Sequence, residues 1–547
     1  MSHLLRRLLD TVVPNGLAVA AFAAAAVLTT PWPAYVLVAI TFGFGLYHYG
    51  RDGLGQYRVG RVLALGALLL AQVKTQPDGI VPVGLAVTLL CGIIAFEPLL
   101  QVALSTRVLQ TANLPQHRGE HWLNPRNVYA VVSVMSVAVW LTVVTQVTAW
   151  PVAGVCALAA CAGAFATVAS WRARRRQAHA ADAEVFDAVN AHAPKFAIHF
   201  AAPSGCEYQL LMWLDYFDAL GDPYVIILRD AEFLPKIAAA TDTPIVVAPS
   251  ITQLESLLID SIKAVFYVNN SMQNTQCVRF AELTHIQLMH GDSDKPPSYN
   301  PISAMYDRIF VAGQAGVDRY HNHGIDIPTS RFRIVGHPQV TRVQVSEGGR
   351  DPDRAPVALY APTWTGLSSD ANYCSLPLAG DICAALLERG VTMVVRPHPY
   401  TRRNPAAARQ LDALEKQLAA DTAKTGRKHL YGKTTTQQMS LIDCINAADV
   451  MVTDASGAAS DWLYSEKPYA ITDVLGLGDK LADELPLAKG AYVIDSDGRN
   501  LAQVCEQLLE TDPLASARLK IKTYYLGEFS ADEYVEVFAA AARDCYI

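Results

Sequence analysis

The sequence predicts an amino-terminal region of membrane-spanning helices followed by two Rossmann-like α/β lobes that face each other across a cleft. Three observations carry this. Six long apolar stretches precede Arg176, basic residues gather between them, and a repeating strand and helix rhythm begins near Lys195. At 547 residues the chain is also too long for one hydrophobic core. The expected organisation is a membrane region over 1–176, a helical linker over 177–194, an amino lobe over 195–345 and a carboxyl lobe over 346–547.

The apolar stretches lie at 12–30, 34–50, 59–76, 79–97, 127–149 and 151–171. Each is near the roughly 17 to 25 residues that a spanning helix needs, and six in series with little internal charge argue against buried core helices. Up to Arg176 there are 13 Lys and Arg against 5 Asp and Glu, leaving 31 against 46 for the rest. If the N-terminus is cytoplasmic, the inside segments hold Arg6, Arg7, Arg51, Arg58, Arg61, Arg107, Arg118, Arg126, Arg172, Arg174, Arg175 and Arg176, with Lys74 alone outside. That asymmetry puts the lobes in the cytoplasm and makes the first stretch a span, not a cleaved leader. An acidic remainder argues against nucleic acid as a partner, so an anionic substrate needs a local cluster of cations and helix ends. The ten cysteines are scattered without a C-x-x-C pair, which fits a reducing compartment and no structural zinc.

Beyond the polar run 172–187, strands are expected at 195–201, 224–228, 244–248, 263–268, 284–289 and 307–311. A second group falls at 357–361, 391–396, 427–430, 449–453 and 468–472. Helical patterns lie between them, for instance over 207–220, 378–389 and 436–446. Such alternation implies parallel sheets, with ligands at the carboxyl ends of the strands facing the cleft. The polar segment SEGGRDPDRAP at 346–356 separates the groups.

The chemistry-bearing residues all follow strands. The stretch AADVMVTDASGAASDW at 447–462 reads as strand, tight turn and helix start, which aims backbone N–H groups at one point and suits a phosphate. Thr453 and Ser456 add hydroxyls, Gly457 allows close approach, and Asp461 falls two helical turns after Asp454. An ordinary capped helix is the plainer reading of the same residues. His290-Gly291 with Lys295 can supply a base near neutral pH beside a cation. Asp292 and Asp294 favour the protonated ring, so His290 is expected to titrate above an ordinary histidine unless Lys295 offsets them. Arg396-Pro397-His398-Pro399 presents Arg396 and His398 on a stiff loop, and Thr363 with Trp364 offers a hydroxyl and a ring at the cleft. Ser204-Gly205 makes a weaker anion site. His321 and His323 have a metal-like spacing but no supporting carboxylate or cysteine motif, so no metal site is assigned.

Together these motifs resemble the CDP-glycerol:poly(glycerophosphate) glycerophosphotransferase family, the teichoic acid primases and polymerases, over roughly 195–530. The residues that carry the resemblance are His290, Gly291 and Lys295; 360–364 (YAPTW); 396–398 (RPH); and Thr453, Asp454, Ser456, Gly457 and Asp461. Departures are Asp292-Ser293-Asp294, where Thr-Pro-Leu is usual, and Thr365, where an arginine often stands. The resemblance implies a GT-B-like fold with His290 as general base, and His398 with the 453–457 turn around the CDP group. The implied reaction moves an alditol phosphate from a CDP-linked donor to a hydroxyl of a membrane-lipid-linked acceptor, releasing CMP. Lys295, Arg396, Thr453, Asp454, Ser456, Gly457 and Asp461 would hold the donor; Ser204, Gly205, Gly291, Thr363 and Trp364 would line the acceptor side or the cleft. No cofactor is demanded, and Mg²⁺ is compatible with the chemistry. Two other readings fit the same motifs: a glycosyltransferase using a UDP- or GDP-sugar, and a nucleotide-sensing membrane protein.

Overall fold

The computed structural model describes residues 3–48, 57–104, 109–114, 125–346, 354–366 and 372–547. Arg51, Arg107, Arg118 and most of the 346–356 separator lie outside them. The chain divides into two compact units, 1–110 with 115–185, and 111–114 with 186–547.

The first unit is helical: His3–Val27, Trp32–His48, Arg58–Thr75, Ile80–Leu104, Pro125–Thr145 and the start of Trp150–His192. Small residues at the contacts let the helices approach closely. Ala18, Ala21 and Ala25 are buried, as are Ala64, Ala67 and Ala71. Six spans were expected. Among the described residues three helices are long and apolar enough to cross a membrane, namely Pro77–Leu100, Val128–Thr145 and Trp150–His192; Val12–Val27 and Trp32–Phe44 are apolar but shorter. The helix Arg58–Thr75 carries Arg58, Arg61 and Lys74, which is why it falls short. Arg61 is not a loop charge as the topology count assumed. It is buried in a bidentate pair with Glu97 (2.7 and 2.5 Å) and lies over the Tyr129 ring. Lys74 donates to the carbonyls of Ala26 and Leu28, both at 2.9 Å, where the first helix ends. The polar run after Trp171 continues the 43-residue helix Trp150–His192 without a break.

The second unit holds two mainly parallel sheets. The first comprises β1 (Gln110–Ala112), β2 (Phe196–Phe200), β3 (Tyr224–Leu228), β4 (Ile245–Val247), β5 (Ala264–Tyr267), β6 (Thr284–Gln287), β7 (Arg308–Val311) and β8 (Phe332–Ile334), in the order β1-β4-β3-β2-β5-β6-β7-β8. The second comprises β9 (Val357–Ala361), β10 (Thr392–Val395), β11 (Val450–Thr453), β12 (Tyr469–Thr472) and β13 (Tyr492–Ile494), in the order β10-β9-β11-β12-β13. β2, β3 and β5 are buried along their whole length, so their apolar runs are continuous and not alternating. The order reverses between β2 and β5 in one sheet and between β9 and β11 in the other. Such reversals open crevices at the carboxyl ends of the strands.

Three expectations need correction. Residues 427–430 form no strand; only Leu430 bridges Val394. The helix expected over 207–220 is two short ones, Tyr208–Leu211 and Leu214–Asp218. The carboxyl end does not stay with its lobe: the helix Ala531–Arg543 returns to the amino-lobe core, where Phe538 packs against Trp213, Phe217 and Phe310. Tyr546 Oη donates to Asp222 (2.9 Å) and Arg543 to the Leu220 carbonyl (2.7 Å). The two passages between lobes touch each other at Gly336 (φ +71°), where a Cβ would collide with the Tyr534 ring.

Candidate active site

The carboxyl-lobe face is built at the reversal between β9 and β11. Asp454 is fully buried; its Oδ2 accepts the backbone N–H groups of Thr363 (2.8 Å) and Ser375 (3.2 Å). Thr453 Oγ1 donates to the Ala361 carbonyl at 2.8 Å. These two residues tie the turn to the neighbouring loop. Burial pushes the Asp454 carboxyl up to about 6, against its hydrogen bonds and the Lys295 charge. Ser456 caps the helix Gly457–Leu463 without a side-chain cap bond, and its hydroxyl has only a long 3.4 Å contact with Thr453 Oγ1. Asp461, two turns along in sequence, accepts from His337 Nε2 at 3.0 Å. The space beside Gly457 faces the Gly291–Asp292 backbone, with the Asp292 carbonyl 3.7 Å from where a Cβ would stand.

The loop after β10 fixes His398. Its N–H donates to the Pro362 carbonyl (3.1 Å), and its ring stacks on Trp364 with centroids 5.9 Å apart. The Tyr400 N–H donates to His398 Nδ1 at 3.1 Å, so Nδ1 is an acceptor and the ring proton sits on Nε2. Burial, reinforced by the positive fields of Lys295 and Arg403, lowers its pKa to about 4. His398 is therefore a neutral donor at physiological pH. The Arg396 guanidinium donates to the Met439 carbonyl at 2.8 Å.

The amino-lobe face carries His290, after β6. The preceding Met289 adopts φ +60°, a costly conformation for a non-glycine residue, and its carbonyl accepts the Trp213 indole N–H at 2.8 Å. His290 Nδ1 lies 2.8 Å from the Val268 carbonyl and must donate to it, which leaves Nε2 as the acceptor. Nε2 faces the Gln209 carboxamide nitrogen at 3.2 Å. Burial lowers the pKa of His290, opposed by the Val268 bond. This reverses the expectation of a raised value. Asp292 and Asp294 do not act on the ring because the buried Arg319 pairs with both, and Tyr525 donates to Asp294 at 2.6 Å. Lys295 reaches the other lobe, donating to Thr363 Oγ1 at 2.5 Å, and burial lowers its pKa to about 8.

The two faces meet. Ser460 Oγ donates to the Asp292 carbonyl (2.7 Å), and Arg403 donates to the Ser204 carbonyl (2.8 Å) beside Gly205 (φ +82°). Cys206 Sγ contacts the Tyr400 hydroxyl. The structure thus gathers His290, Gly291, Lys295, Thr363, Trp364, His398 and the turn after Thr453, with Ser204 and Gly205 at the adjoining lip. His321 and His323 bond the carbonyls of Ile327 (3.2 Å) and Arg319 (2.8 Å), as loop-supporting residues do. Sequence reasoning missed Gln209, Arg319, His337, Tyr400 and Arg403. His337 had a signal, since Gly336-His337-Pro338 follows β8 much as the other histidine loops follow their strands. Arg319, inside the helix Gln314–Asn322, had none.

Two α/β lobes, with histidine loops from both meeting at the carboxyl strand ends beside a lysine and a hydroxyl-bearing turn, have the layout of a GT-B-like fold. Residues 339–473 match the family model for CDP-Glycerol:Poly(glycerophosphate) glycerophosphotransferase. The match contains the motifs at 360–364, 396–398 and 453–461 and begins after the His290 loop. No curated protein matches the chain. Similar solved structures include a putative UDP-N-acetylglucosamine 2-epimerase from Listeria monocytogenes (11% identity, 64% of this chain and 96% of that one, TM-score 0.43). Others are a glycosyltransferase from Rickettsia africae (11%, 64% and 98%, 0.42) and the wall teichoic acid polymerase TagF (12%, 66% and 93%, 0.42). With TM-scores below 0.5 these remain resemblances.

Proposed function

We propose that the chain is a multi-pass membrane enzyme with cytoplasmic catalytic lobes. It transfers an alditol phosphate, glycerol phosphate or a close relative, from a CDP-linked donor to a hydroxyl of a lipid-linked acceptor in the synthesis of a teichoic-acid-like surface polymer. The observation that supports this best is the pair of histidines at one site with Nε2 in opposite roles, an acceptor in His290 and an N–H donor in His398. On this reading the acceptor oxygen attacks the β-phosphorus and the bond to the bridging oxygen breaks. CMP leaves with that oxygen, and the hydroxyl proton passes to His290 Nε2. His398 Nε2–H and Lys295 steady the pyrophosphate charge, as do Ser456 and the first N–H groups of its helix. Phosphoryl transfer asks mainly for this positioning and charge stabilisation.

The membrane assignment rests on the Lys and Arg asymmetry and the apolar helices of the first unit. Holding the lobes at the bilayer raises the effective concentration of a lipid-linked acceptor. The test is to incubate membranes containing the full chain with a panel of CDP-alditols and nucleotide sugars and to identify the released nucleotide. CMP together with a new phosphodiester is expected; UDP or GDP release would move the chain to sugar transfer. A reporter fused after Ile547 that is active only outside the cell would overturn the orientation.

A further inference from the structure

The Nε2 lone pair of His290, the atom that the proposed reaction needs, is already occupied. Gln209 Nε2 lies 3.2 Å away, and the orientation of that carboxamide is fixed by a chain of unambiguous partners. Asn269 Nδ2 donates to the Ala201 carbonyl (3.0 Å), while Asn269 Oδ1 accepts the Ser271 N–H (3.1 Å), so the Asn269 amide can stand only one way round. The same Nδ2 donates to Gln209 Oε1 at 2.9 Å, which turns the Gln209 NH₂ toward His290. Both carboxamides are at least nine-tenths buried, and they span the β2/β5 reversal where the first sheet opens its crevice.

We infer that Gln209 is a positioning residue for proton transfer: held by Asn269, it occupies the His290 lone pair and keeps the ring neutral until an acceptor hydroxyl takes its place. The inference rests on the reading of His290 as base. Once a proton reaches Nε2, the imidazolium N–H and the Gln209 NH₂ are two donors facing each other, so the carboxamide must give way as the hydroxyl enters. A donor to the neutral ring also opposes its protonation, in the same direction as burial. Burial is the larger influence on the ring, and the Val268 carbonyl takes its Nδ1 proton. Tyr208 meets it edge-on at 6.1 Å, His398 is neutral, Lys295 points to Thr363, and Asp292 is taken by Arg319.

The test uses the full chain in membranes with two readouts. One is the acid limb of kcat/KM for CMP release; the other is the pH dependence of carbethoxylation of His290 by diethyl pyrocarbonate, followed by peptide mass spectrometry. Gln209→Glu replaces a donor by a carboxylate that binds the imidazolium, so both midpoints should rise by about one pH unit or more. Gln209→Asn withdraws the amide by one methylene and should raise them less. A merely structural role would lower activity or yield in both variants without moving either midpoint, and that result would overturn the inference. If wild type releases no CMP, the transferase reading fails separately, and the carbethoxylation midpoints still decide the role of Gln209.

Discussion

His290 and His398 occupy equivalent places in the two lobes, each just past the end of a buried parallel strand, yet the structure gives them opposite chemistry. A backbone carbonyl, Val268, stands against Nδ1 of the first; a backbone N–H, Tyr400, stands against Nδ1 of the second. Burial keeps both rings neutral, so neither is distinguished by charge. What separates a proton acceptor from a proton donor here is one main-chain group on the far side of each ring. A histidine's job is therefore read from its outer partner.

Deletions separate the two histidines most clearly. His290→Ala should lower CMP release by about 10² to 10⁴ while leaving donor affinity near wild type, because a positioned base acts in the transition state. Full turnover in that variant would return the loop to a supporting role. Asp454→Ala should act on the carboxyl face alone, leaving the Thr363 and Ser375 amides buried and unpaired at about 1 to 3 kcal/mol each. A lowered thermal midpoint with weaker donor binding is expected, and an unchanged midpoint would contradict the anchoring role. His398→Ala should weaken CDP binding as well as turnover, losing one hydrogen bond to a charged group, worth about 1.5 to 3 kcal/mol. Ser456→Ala should cost donor binding about 1.5 kcal/mol, the lower end of the same range. Calorimetry with CDP checks both, and an unchanged dissociation constant for Ser456→Ala would move the phosphates elsewhere.

The two lobes also differ in how far the sequence revealed them. Apolar runs such as 224–228 and 357–361 coincide with β3 and β9, because fully buried parallel strands leave no other pattern. β8 escaped because only Phe332 of its three residues is buried. The 436–446 pattern hid a break: residues Thr434–Gln438 form a wide turn, and Ser440 starts a separate helix by accepting the Asp443 N–H at 3.0 Å. The apolar face of Ala531–Arg543 signals burial, but no local pattern says that it crosses to the other lobe. At the site, strand-end motifs exposed both histidines, Lys295 and the 453–457 turn. The sign of the His290 shift could not be read locally, since Arg319 lies far along the chain from the aspartates it neutralises.

The pH dependence of kcat/KM, which reports the free enzyme, tests the division of labour most directly. As pH falls through the lowered pKa of His290, below the ordinary histidine value of 6.5, the base becomes protonated and the rate is lost. As pH rises through about 8, Lys295 loses its charge and donor capture weakens. Lys295→Arg should remove that alkaline limb. The decisive profile is that of His398→Ala: with His290 as the base, it should run lower at every pH and keep the acid limb at the wild-type midpoint. If the acid limb disappears with His398 and survives in His290→Ala, the roles of the two histidines are reversed and the account built on their outer partners is wrong.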